Sequence, residues 1–110
     1  MEVIKPETAN VTGTTTNDYV DALVFPAWGS ANKTIQLKNT SGTNALKYRV
    51  LSRIADGGFE TEEVGETSLG TGAIFTAQYN NAFYSLRVEV KSSSAGNHAT
   101  YEINHIGLPS

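Results

Sequence analysis

Leu86-Arg87-Val88-Glu89-Val90-Lys91 and, one loop later, Thr100-Tyr101-Glu102-Ile103-Asn104 are the most regular stretches of the 110-residue chain. Apolar and polar residues alternate in both. Leu86, Val88 and Val90 therefore share one face of a strand, and Tyr101 and Ile103 share one face of another. Residues 92–98 between them are rich in Ser, Gly and Asn, so the two stretches read as a β-hairpin with a longer loop. Charge selects its register. Setting Val88 opposite Tyr101 places Arg87 across from Glu102 and Glu89 across from Thr100, whereas a slide by two would oppose Glu89 to Glu102.

The same alternation extends upstream. Thr34-Ile35-Gln36-Leu37-Lys38 puts Ile35 and Leu37 on one face, and Leu46, Tyr48 and Val50 alternate with Lys47 and Arg49. The loop between them, residues 39–44, consists of turn-forming residues, which predicts a second hairpin. Residues 74–79 read as a further strand, and Asp56-Gly57-Gly58 and Asn80-Asn81 read as turns. Residues 18–25 fit either one helical turn stopped by Pro26 or a buried strand. The strand is favoured because the run is short and rich in β-branched and aromatic residues. Residues 1–17 form a Thr-rich N-terminal arm with room for one edge strand, and residues 18–110 form the domain.

About seven short strands separated by turns, with no longer helix to cover a sheet, predict an all-β fold. The expected form is an antiparallel two-sheet β-sandwich, Ig-like or jelly-roll-like. One domain is the natural size for the chain. Cysteine is absent, which rules out disulfides and thiolate metal sites. The net charge is −3 and the eight bases are scattered singly, so the basic stripe of a nucleic-acid binder is missing. The start, Met1-Glu2-Val3-Ile4-Lys5-Pro6, lacks the pattern of a signal peptide, and no apolar run approaches the ~20 residues that span a bilayer. Synthesis in the cytoplasm and no membrane contact are therefore expected.

No catalytic constellation, metal site or cofactor motif emerges. His98 reads as a solvated loop residue and His105 as a polar residue ending the last strand. The stretch from Gly65 to Gly72 lacks the Lys of a phosphate loop and reads as a turn. Asp56, Glu60, Glu62, Glu63 and Glu66 contain no base among them and read as a solvated edge strand, with a calcium site disfavoured. The Asn-x-Ser/Thr triplets at Asn10, Asn32 and Asn39 are expected by chance in so Thr-rich a chain. Candidate partner-binding residues are Trp28, which stands in a turn-rich stretch, the aromatics Tyr79, Phe83 and Tyr84, and Thr14, Thr15 and Thr16 of the arm.

The layout resembles the small β-sandwich virion proteins of tailed phages, above all decoration (cement) proteins and other capsid- or tail-associated modules. The resemblance is carried by the Thr-rich arm (residues 10–17), Ile35-Gln-Leu-Lys-Asn39-Thr and Leu86-Arg-Val-Glu-Val-Lys91. It implies a non-enzymatic module that stabilises a virion by surface contact with capsid or tail proteins, commonly as a homo-oligomer. The alternative is a carbohydrate- or cell-surface-binding sandwich that uses Trp28 and neighbouring Tyr side chains as stacking platforms.

Overall fold

A computed structural model describes residues 7–26, 30–80 and 83–109. Their regular structure is entirely β: β1 (Glu7–Thr14), β2 (Val20–Pro26), β3 (Ser30–Asn39), β4 (Leu46–Arg53), β5 (Thr61–Leu69), β6 (Ile74–Tyr79), β7 (Ser85–Ser92) and β8 (Thr100–Pro109). The strands form two antiparallel sheets of four, ordered β1-β8-β3-β6 and β2-β7-β4-β5. Eight strands stand where the alternation gave about seven. The additional one is β1, inside the Thr-rich stretch. Residues 18–25, which left helix and strand open, contribute β2.

Only the β4–β5 connection joins neighbours within a sheet; every other one crosses to the facing sheet. Two interlocked Greek keys of this kind make a jelly roll. Both expected hairpins are therefore corrected. β3 pairs with β8 and β6, and β4 pairs with β7 and β5. Val88 lies opposite Val50 and Leu23, and Tyr101 opposite Asn39 and Gly13, so the Val88–Tyr101 register does not exist. Alternation reports which face of a strand is buried and nothing about its neighbour. A loop of six or seven residues spans the ~10 Å between sheets as readily as it turns back within one.

The core is the contact between the two inner faces. Ile35, Leu37 and Ile103 from one sheet meet Leu46, Val50, Leu86, Val88 and Val90 from the other, all fully enclosed. Burying each such side chain contributes about 1.5–3 kcal/mol. Tyr48 packs on Phe75 at 4.6 Å between ring centroids, and Tyr101 fills the space above Gly13. A Cβ at Gly13 would run into the Tyr101 hydroxyl, so any side chain at this strand position must displace the Tyr101 ring. His105 does not end its strand. It lies inside β8, buried and facing inward, with its ring 3.9 Å from that of Phe25. Lys33 is likewise buried on the inner face of β3, where desolvation lowers its pKa and Phe83 lies 5.4 Å from its ammonium.

Polar side chains tie together the end of the sandwich where four crossing loops meet. Asn39 is fully buried. Its amide nitrogen donates to the carbonyls of Asn44 (2.9 Å) and Leu69 (3.0 Å), and its oxygen accepts from the Ser41 N–H (2.9 Å). One side chain thus fastens the β3–β4 loop to the end of β5. Its backbone holds the β5–β6 turn as well, through Gly72 and Ala73. That turn is confined to residues 70–72 with Gly72 at φ 72°, whereas residues 65–69, expected as part of it, belong to β5.

Replacing Asn39 by Ala removes the side-chain donor to the carbonyls of Asn44 and Leu69 and the acceptor of the Ser41 N–H. We expect a loss of about 2–4 kcal/mol, from unpaired buried groups. Denaturant unfolding checks it; a change below ~0.5 kcal/mol contradicts the role given to Asn39.

Candidate interaction surface

The two outer faces differ in chemistry. On sheet β2-β7-β4-β5, five of the eight bases (Lys47, Arg49, Arg53, Arg87 and Lys91) stand among acids on strands and loops to either side. Arg87 reaches Asp21 at 3.1 Å, Glu60 at 2.7 Å and Glu89 at 3.4 Å, and Arg49 meets Glu89 at 3.1 Å. Glu89 is almost fully buried beneath these two guanidiniums, and its hydrogen bond raises the pKa of Arg49. Tyr19 lies 4.3 Å from the Arg49 guanidinium and 5.0 Å from the Lys91 ammonium, and its hydroxyl donates to Glu66 at 2.7 Å. Burial and that contact raise the Tyr19 pKa, and the same hydrogen bond lowers that of Glu66. Of the acidic segment, Glu62, Glu63 and Glu66 lie on the edge strand as expected, whereas Asp56 and Glu60 lie in the loop before it; its basic partners come from β4 and β7.

Sheet β1-β8-β3-β6 presents the opposite character. Its outward residues fall into rows across the four strands: Thr8, Ile106, Thr34, Gln78; then Asn10, Asn104, Gln36, Thr76; then Thr12, Glu102, Lys38, Ile74. Charge appears only in the third row, where Glu102 and Lys38 are opposite each other. Ile74 (57%), Ile106 (41%) and Leu108 (44%) are exposed on this face. A cleft of about 430 Å³ opens at its end among Asn32, Lys33, Thr34, Gln78, Tyr79, Asn80 and Leu108. A smaller hollow of about 90 Å³ lies beside Ile106, between Thr34, Gln36, Asn104 and His105.

The sequence candidates divide between the two ends of the sandwich. Thr14, Thr15 and Thr16 lie at the four-loop end. Thr14 and Thr16 are exposed there, while Thr15 is buried with its hydroxyl 2.8 Å from that of Ser92 and accepting from the Ala99 N–H. Tyr79 and Tyr84 are half-buried at the other end, roughly 20 Å away along the strands. Phe83 is 5% exposed, its ring edge-on to Tyr79 at 5.6 Å, and serves the core. Trp28 lies outside the described residues. Sequence reasoning passed over Ile106 and Leu108, which continue β8 beyond Asn104, and Phe59 (85% exposed) and Ile54 (69%) on the β4–β5 loop.

Ser92 and His98 are the nearest approach to a catalytic pair, with Oγ to Nδ1 at 2.8 Å. Ser92 is buried, its hydroxyl is also engaged by Thr15, and the chain of contacts contains no carboxylate. The trio joins the β1–β2 and β7–β8 crossings. Among the described residues no group of three or more His, Asp or Glu could hold a metal ion, and no helix is long and apolar enough to cross a membrane.

No protein-family model matches the chain, and no curated protein matches its sequence. Solved structures share the fold. The Yersinia pseudotuberculosis-derived mitogen is similar with TM-score 0.64 and 13% identity, over 92% of this chain and 86% of that one. A protein of the disulfide-linked pili that form Bacillus endospore appendages gives 0.60 and 13%, over 100% and 92%. The SPBc2 prophage-derived protein YomS gives 0.54 and 14%, over 97% and 99%. At these identities the likeness is one of fold.

The two faces should respond differently to substitution. Glu89→Gln leaves two guanidiniums without their buried counter-charge and is expected to cost about 1–3 kcal/mol. Gln36→Glu, on the other face, should stay within about 0.5 kcal/mol of the parent. Equal effects in thermal melts would contradict the contrast.

Proposed function

We propose that the chain is a non-enzymatic structural module that acts by surface contact within a larger protein assembly, specifically as a virion decoration or capsid- or tail-associated protein. The observation that carries this reading is the charge-poor outer face of β1-β8-β3-β6. A surface shaped only for solubility carries interspersed charge over about a quarter to a third of its residues. The centres of protein interfaces are depleted of it. Ile106 and Leu108, two positions apart on one face of β8, supply apolar contact, and the two hollows beside them offer seats for partner side chains. The nearly bare Phe59 and Ile54 add a second apolar contact at the loop tip. A prophage protein and a pilus protein among the structures of similar fold lend the reading its direction.

The cleft supports a second reading. Its amides and hydroxyls, from Asn32, Thr34, Gln78 and Asn80, with Tyr79 alongside, suit the hydroxyls and ring faces of a sugar. Glycan-array binding abolished by Gln78→Ala would favour it over a protein partner.

In cells that encode the chain, it should sediment with virions or other large particles and be identified there by mass spectrometry. Ile106→Lys should shift it at least tenfold towards the free fraction without unfolding it. Recovery of the parent chain solely as free protein would overturn the assembly reading.

A further inference from the structure

We propose that the free edge of β1 pairs with β1 of a second copy, antiparallel about a twofold axis, joining two β1-β8-β3-β6 sheets into one. The inference rests on the reading of the chain as an assembly module and names the contact between copies.

An open sheet edge is a template for another strand, and most proteins guard it. Two of the four edges here are guarded. The register of β2 breaks between Asp21 and Leu23, and the strand ends on Pro26. β5 is irregular on both sides of Val50 and carries Glu62, Glu63 and Glu66. β6 carries no charge or proline, but at six residues it is a shorter template than the eight-residue β1. β1 lacks such a device. It runs in unbroken register with β8 from Glu7 to Thr14, with no charge after Glu7 and no proline.

Its backbone is available. Thr15 N–H donates to the Ala99 carbonyl, which continues the β1·β8 ladder. Antiparallel ladders alternate, so the odd residues of β1 face β8 while the N–H and C=O groups of Thr8, Asn10, Thr12 and Thr14 point to the free edge. Among the described residues no strand pairs there.

A second copy fits this edge because a twofold axis lays the strand antiparallel on itself, even residues against even. Asn10 would face Thr12 of the other copy and Thr8 would face Thr14. These are uncharged pairs, and Thr–Thr contacts are favourable across strands. The joined sheet would also double the charge-poor face.

Sedimentation of the purified full chain tests the contact. The parent should have the mass of two chains. Thr12→Pro removes an outward N–H that the β1·β8 ladder does not use. That variant should be monomeric, with parental circular dichroism and melting temperature. In this cysteine-free chain, Asn10→Cys/Thr12→Cys should cross-link to a covalent dimer under mild oxidation, because facing Cα atoms in such a pair lie about 5.5 Å apart. A parent that stays monomeric at every concentration, or a dimer that survives Thr12→Pro, overturns the proposal. If Thr12→Pro fails to fold, absence of the cross-link overturns it. A monomer that still sediments with particles sinks this contact and leaves the assembly reading standing, and a β1-linked dimer never found on particles does the reverse.

Discussion

Everything in this molecule depends on keeping two inner sheet faces in dry contact. With no cysteine to staple the chain, stability rests on closing that gap. Ile35, Leu37 and Ile103 are buried in one cluster with Leu46, Val50, Leu86 and the β7 valines of the facing sheet. Because nearly every connection crosses the gap, the polar ties at the four-loop end hold the sheets in the alignment that the core needs. Asn39 and the Thr15–Ser92–His98 trio do for the loops what hydrophobic contact does for the strands.

The outer faces are freed from that duty and have diverged. One is finished internally: its bases and acids satisfy one another, and a partner that used it would first have to break ion pairs with Arg87 or Arg49. The other is covered largely by Thr, Asn and Gln side chains; Asn10 donates to Glu102 and Asn104, and such neutral groups can re-pair with a partner at little desolvation cost compared with charges. The division of charge between faces is what turns a generic sandwich into a directional one.

Much of the architecture was legible from period two alone: all-β, two sheets, and the inward residues of β3, β4, β7 and β8. What could not be read was adjacency. Arg87 illustrates the limit. Its need for an opposite charge was visible in the sequence, yet the partners are Asp21, Glu60 and Glu89 rather than Glu102, because pairing is decided in three dimensions. The candidate face was less legible still. It is assembled from alternate residues of four strands far apart in sequence, so no contiguous motif announces it. The conspicuous aromatics drew attention first, and Phe83 turned out to fill the interior. The end of β8 was missed because His105 and Gly107 do not look like inward strand residues, although both lie on its inner side.

The pairing of the first described strand with the last has a temporal side. Glu7 lies opposite Gly107. On a ribosome, which releases the N-terminus first, β1 must therefore wait for almost the whole chain before it finds its neighbour. Until then only the β4–β5 hairpin can close from nearby sequence, and long-range pairing is slow. A greasy strand held open that long would invite misassembly. The mild, Thr- and Asn-rich make-up of β1 suits a segment that spends its early life unpaired in water.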